Sequence, residues 1–238
     1  MTLSFQNAKH LEAPWIHCFF YGDSGSGKTT NCATFPRPCF IVPRNESSIT
    51  TLRGRDVPYY EVTDMTSPLQ GGVGGMLSVI DELQRHYNND PSKFPFDTIV
   101  VESLSHYSDL CIEQLTEGGR LQMDQRKWGQ LLSHLRTLQT RLRGLDVHAV
   151  FTALAKVDAV AETGTVIGGP LIPGQAAQKI PSACDIIGYC EEVNTGKGIQ
   201  YRVHFRRHKH FAARSRFPEI PPMMENFQFS QVESLLKK

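Results

Sequence analysis

An α/β fold built on a mostly parallel, doubly wound sheet, with an antiparallel hairpin at one C-terminal edge, is what the sequence predicts. Three observations carry it. Short continuous apolar runs alternate with stretches whose apolar residues recur every three or four positions, the order that a parallel sheet with crossover helices requires. The first run stops at a glycine-rich turn that opens directly into a helical stretch. After about residue 190 the pattern changes to a turn cluster followed by partial period-two alternation.

Taken in order, Ile16 to Tyr21 is an apolar and aromatic run ending at Gly22, as a buried strand feeding a tight turn does. Cys39 to Val42, Thr98 to Val101 and Val147 to Ala153 read as three more strands. Because these runs are continuous, the sheet they form should be covered on both faces. Met76, Ile80, Leu83 and Tyr87 mark one amphipathic helix, and Trp128, Leu131, Leu132, Leu135, Leu138 and Leu142 another. Asn194 to Gly198 is the turn cluster, and Ile199 to Phe205 the strand after it. Two segments, Arg44 to Pro58 and Lys156 to Pro181, read as long loops, functional or disordered.

The chain of 238 residues, 40% of them hydrophobic, suffices for one domain over 1–238, with a core at about 15–220 and short tails. Lys+Arg minus Asp+Glu is 25 − 24 = +1, which excludes an acidic solvating tail and a globally basic coat. Met1 to His10 lacks the apolar stretch of a secretion signal, and no apolar run approaches the ~18 residues of a membrane span. A soluble cytoplasmic protein is expected. The six scattered cysteines read as reduced, packed thiols. His204, His208 and His210 lie among arginines, whose charge argues against a bound cation there.

The chemistry concentrates at Gly22-Asp23-Ser24-Gly25-Ser26-Gly27-Lys28-Thr29, which fits G-x-x-x-x-G-K-[ST] between a strand and a helix and is followed by Thr30. Glycines let backbone N–H groups turn inward around a phosphate, and the helix N-terminus adds its positive end. Lys28 is placed to span the β- and γ-phosphates, and Thr29 to put its hydroxyl on Mg²⁺. The Thr98 to Val101 strand then delivers Glu102, followed by Ser103, to its C-terminal end, where open α/β sheets bind ligands. Glu102 is the second candidate for the metal, holding a bound water. The sequence thus predicts an ATP-Mg²⁺ site.

Ile99-Val100-Val101-Glu102-Ser103, taken with the phosphate loop, resembles the acidic strand of the RecA superfamily. The order of segments is similar to phage nucleotide-binding ATPases that include the Sak-four group of single-strand annealing or recombination proteins. The matching pieces are the loop closed by Phe35-Pro36, Trp128-Gly129-x-Leu131, the strand reaching Thr152, and Gly174 before Ile180, Pro181 and Asp185. The resemblance implies Thr152 as a sensor of the γ-phosphate, against an ordinary strand-end threonine. It implies an acid after the second strand as water-positioning group; Glu46 is nearest, in displaced register. It also implies DNA-contacting loops, one at Lys156 to Pro181, which is nearly uncharged, and one at Gly118 to Lys127, which carries Arg120, Arg126 and Lys127.

Arg202, Arg206, Arg207, Lys209, Arg214 and Arg216 form a basic segment free of Asp and Glu. By the resemblance, Arg214 and Arg216 stand at positions that reach a neighbouring subunit's nucleotide; a DNA-backbone patch and a solvated basic face are the competing readings. The sequence therefore predicts a RecA-like ATPase, active as a ring or filament on single-stranded DNA in phage-type recombination or annealing. A phage single-strand-binding or annealing protein is a further expected partner. Two alternatives stay open: a nucleotide-gated helicase loader with little turnover, and a small-molecule kinase, which needs an acceptor pocket and an arginine-bearing lid for which the helix from Arg126 to Arg143 is easily mistaken.

Overall fold

His17–Gly22 (β1) sits in the middle of the sheet because its side chains are apolar on both sides. Phe19 and Tyr21 enter one hydrophobic cluster, and Cys18 and Phe20 the other. The structure, a computed structural model, describes residues 15–62, 75–159, 166–196 and 198–237. Lys28–Cys32 (α1) follows the glycine-rich turn and leads to Pro38–Pro43 (β2). Tyr59–Val62 (β3), Met76–Asn89 (α2) and Thr98–Val101 (β4) come next, then Leu104–Leu115 (α3) and Gln125–Arg143 (α4). His148–Ala159 (β5), Val166–Pro170 (β6), Ala176–Ser182 (α5), Ile186–Asn194 (β7) and Ile199–His204 (β8) follow. Arg214–Ser215 (β9), Met223–Glu225 (β10) and Phe229–Leu236 (α6) complete the described chain.

The strand order is β10-β8-β7-β1-β5-β4-β2-β3. All neighbours from β7 across to β3 are parallel, whereas β8 and β10 add antiparallel strands at the edge. The predicted sheet and edge hairpin are both present. Buried residues of α2, α3, α4 and α5 cover one face, while Cys32 and Phe35 by α1, with Phe229 and Val232 of α6, cover the other. Phe35 and Phe229 stack with ring centres 4.0 Å apart, so the folded body extends past residue 220 rather than ending in a tail.

The largest departure from expectation is Lys156 to Pro181. It is not a long loop. β5 continues to Ala159 and pairs antiparallel with β6, then Gly174 turns the chain against Trp128 into α5. The tip of this hairpin, including Glu162, lies outside the described residues. Arg44 to Pro58 is partly ordered by a 3-10 turn over Ser47–Leu52. The helix that is easily mistaken for a kinase lid is a core element, since Leu131, Leu135, Leu138 and Leu142 of α4 are all buried under the sheet. All six cysteines are free and buried, as read from their scatter.

Candidate nucleotide site

Gly22 can close β1 only as a glycine: a Cβ there would lie 2.1 Å from the Cys190 carbonyl oxygen of β7. The chain then wraps from Asp23 to Gly27, where Gly25 and Gly27 take left-handed φ of 81° and 85° that disfavour any side chain. Ser26 is buried, and its N–H donates to the Asp23 carbonyl at 3.2 Å. At the centre, the Lys28 ammonium donates to the Gly22 and Asp23 carbonyls at 2.9 and 2.8 Å and approaches Ser26 Oγ at 3.4 Å. The loop thus closes on its own lysine, which is held at the place where a phosphate would be received.

Beside it, the Thr29 hydroxyl donates to Glu102 Oε1 at 3.2 Å. Glu102 leaves the C-terminal end of β4, and its peptide bond to Ser103 is cis. It is almost fully buried, and that burial pushes its carboxyl up to about 7 even though Lys28 draws it down; the charge of Glu46 adds to the rise. Among the described residues its Oε2 has no hydrogen-bond partner, nor does the buried Thr152 hydroxyl, which is close enough to favour the charged carboxylate slightly. An orphaned buried carboxylate oxygen costs free energy. A hard divalent cation favours an all-oxygen donor set such as Thr29 with Glu102, so the residues present fit Mg²⁺.

The acid strand does not neighbour β1 directly. β5 lies between them, pairing with β1 on one side and β4 on the other. Thr152 therefore sits beside Phe20 of β1 and one residue beyond the Val101–Phe151 pair, level with Glu102. It is mid-strand rather than at a strand end, because β5 continues into the hairpin.

Glu46 also reaches the cleft but is already engaged. Its Oε1 accepts from the Ser48 N–H at 3.2 Å, capping the 3-10 turn, and its Oε2 lies 3.3 Å from His106 Nδ1. His106 and Asp109 of α3, and Tyr201 of β8, line the cleft without any sequence signal that singles them out. Burial pushes the Asp109 carboxyl up. Glu46, Glu102, Ser24, Thr29 and Thr30 share a cleft of about 710 Å³ with Asn226 and Gln228, a volume suited to a nucleotide-sized ligand.

Arg214 and Arg216 are elsewhere. Arg214 pairs with Ile187 near the start of β7, whereas the phosphate loop meets Cys190 farther along that strand. The Arg214 guanidinium donates to the Ser182 and Cys184 carbonyls at 2.7 and 3.1 Å; that of Arg216 lies 3.8 Å from Asp185. They sit at the opposite end of the sheet from their own chain's phosphate loop.

A glycine-rich loop closing on lysine, a threonine hydroxyl on a strand-end glutamate, and a strand inserted between the two carrying strands define a P-loop NTPase of RecA-like type. Among the described residues no helix is long and apolar enough to cross a membrane. Residues 16–217 match the AAA domain family, and the chain belongs to it. The structure is similar to that of a KaiC-like protein from the hyperthermophilic archaeon Pyrococcus horikoshii, with a TM-score of 0.46, 12% identity and 88% of each chain covered. A search of curated proteins finds none that matches.

Proposed function

We propose that this AAA-domain protein is a Mg²⁺-dependent ATPase that works on single-stranded DNA in recombination or annealing, assembled as a ring or filament. The observation that carries the ATPase reading is the convergence of Lys28, Thr29 and Glu102 on one cleft, with the buried Glu102 Oε2 unpartnered among the described residues. Thr29 and, through a water, Glu102 would hold Mg²⁺, which would supply positive charge to the triphosphate. Lys28 exchanges its contacts with the Gly22 and Asp23 carbonyls for phosphate oxygens. Backbone N–H groups of Ser24 to Lys28 orient the triphosphate. Water attacks the γ-phosphorus in line as the bond to the β,γ-bridging oxygen breaks, with Glu46 orienting the water, Thr152 sensing the γ-phosphate, and Arg214 or Arg216 of an adjacent copy countering the charge that develops.

DNA work rests on the likeness to the Sak-four group and on the exposed Arg120 and Arg126 before and within the start of α4. The test is ATP turnover with and without single-stranded DNA. Stimulation by DNA is expected; turnover indifferent to DNA, with no DNA binding at low salt, rejects the DNA role.

A second reading has its own observation. Both Glu46 oxygens are occupied, by Ser48 and His106, which suits a nucleotide-gated module with slow turnover. Tight ATP binding without turnover, and a helicase or annealing protein that binds only the ATP-loaded form, would favour it over the ATPase. A phage single-strand-binding or annealing protein is a proposed partner in either case.

A further inference from the structure

A second cluster of titratable side chains lies outside the nucleotide cleft, on the β7–β8 hairpin. Tyr189 is paired with His204 and Glu191 with Arg202, so alternation puts all four on one sheet face. After β8 the chain makes a tight turn, closed by reciprocal backbone hydrogen bonds between His208 and Phe211 at 3.1 and 2.9 Å, with Lys209 at φ 52°. The turn folds His208 back onto that face. There its ring stacks on His204 with centres 3.8 Å apart, and Phe211 stacks on Tyr189 at 3.9 Å. Two imidazoles are thus immobilised by packing rather than left to solvent.

Their nitrogens converge on one oxygen. His204 Nε2 is 2.8 Å and His208 Nε2 is 3.7 Å from Glu191 Oε1. One donor atom from each of the three residues lies within 4.8 Å of the others. Ligand atoms on a tetrahedral zinc ion, bound at about 2.0–2.1 Å, are about 3.3 Å apart, so the observed separations bracket the required one. Among the described residues the buried His208 Nε2 has no hydrogen bond.

Arginine charge argued against a cation here on sequence alone; in the structure the arginine on the same sheet face is paired with a carboxylate. Arg202 is taken up by Glu225, with Nη2 and Nε at 3.0 and 3.1 Å from Oε1. Lys209 stands 3.9 Å from Glu191 Oε2 with most of its side chain in solvent, where it can withdraw. None of Glu191, His204 and His208 lines the nucleotide cleft. His210 is not part of the cluster.

We propose that Glu191, His204 and His208 bind one divalent metal ion of the zinc type, with water completing its coordination. A two-imidazole, one-carboxylate set prefers zinc, cobalt or nickel to magnesium.

The experiment uses full-length protein without a histidine tag, stripped by chelator and free of nucleotide. Zn²⁺ is titrated calorimetrically, and Co²⁺ is followed by its visible absorption. One Zn²⁺ per chain and cobalt bands typical of low coordination number are expected, both weakened roughly 100-fold or more in His208→Ala by loss of one of three ligands. ATP binding should persist in that variant, and Zn²⁺ binding should persist in Glu102→Gln. If His208→Ala fails to fold, His208→Asn supplies the same comparison with a poorer ligand. Absence of stoichiometric binding, binding unchanged in the His208 variant, or binding lost in Glu102→Gln, which would place the metal in the phosphate cleft, overturns the proposal.

Discussion

The two ends of one parallel sheet are built on opposite rules. At the end where the strands begin, polar groups are paired off: Arg37 makes two hydrogen bonds to Asp97, and Asp185 accepts from both the backbone N–H and the ring of His17. The Ile16 N–H donates to His148 Nδ1, and Arg214 covers the Ser182 and Cys184 carbonyls. Burial works to raise the Asp185 carboxyl, yet its bonds to His17 and the charge of Arg216 hold it below the usual range. One His17 ring nitrogen stays unpaired there, a smaller penalty than a buried carboxylate oxygen. At the end where the strands finish, among the described residues Lys28 is satisfied by its own loop alone, and Glu102 and Thr152 keep unpaired buried oxygens. The difference teaches that the beginning of the sheet is finished as a folded structure, while its far end keeps polar groups free to meet a ligand.

The largest effect that tests this contrast is Lys28→Ala. It should lower turnover roughly 1,000-fold, the scale of losing a preorganised charged donor, with the circular dichroism spectrum unchanged. Native ATP affinity and turnover in the variant would remove the basis of the site. Gly22→Ala comes next. Its Cβ would meet the Cys190 carbonyl at 2.1 Å and Ser26 Oγ at 2.7 Å, so a stability loss of about 3 kcal/mol is expected, read from the urea midpoint. A midpoint equal to wild type would show that β1 and β7 can separate there.

Glu102→Gln sharpens the comparison through pH. Between the ordinary carboxyl value of 4.5 and its folded value of about 7, the folded, ligand-free protein holds a proton that the unfolded chain has lost. Stability from this group therefore falls as pH rises through that window, by at most about 3 kcal/mol. His134 and His148, pushed down to about 4 by burial, act in the opposite sense, losing stability as pH falls from 6.5 towards 4. The informative quantity is the difference in melting temperature between wild type and Glu102→Gln: the variant should gain on wild type from pH 4.5 to 8. A constant difference would mean that Glu102 is ionised throughout. With ATP and Mg²⁺, the same variant should bind nucleotide and turn it over poorly.

The smallest expected change in stability is at the paired end. Arg214→Ala loses hydrogen bonds on a partly exposed guanidinium, about 1 kcal/mol, and should bind ATP normally. Its turnover distinguishes the readings: as a group acting on a neighbouring copy, the variant hydrolyses poorly and regains part of its activity when mixed with Lys28→Ala subunits. A DNA-backbone role instead weakens DNA binding with a shallower salt dependence and spares DNA-independent turnover.

Much of this was legible in the residues themselves. The strands Thr98 to Val101 and His17 to Gly22, the helices over Met76 and Trp128, and the roles of the glycines around Lys28 follow from local periodicity and backbone sterics, which depend on neighbours in sequence. Other features depend on which distant segments meet, and only the tertiary structure decided them. The insertion of β5 between the strands of Gly22 and Glu102 sets Thr152 level with the acid. Pairing across the sheet turned Lys156 to Pro170 from an expected loop into a hairpin, since each arm's backbone groups found their partners in the other. The tie between Glu46 and His106, 60 residues apart, and the neutralisation of Arg202 by Glu225 have no local signature. Charge read along the chain counts every arginine near His204 as repulsive; charge read in space counts the carboxylate that the fold brings beside it.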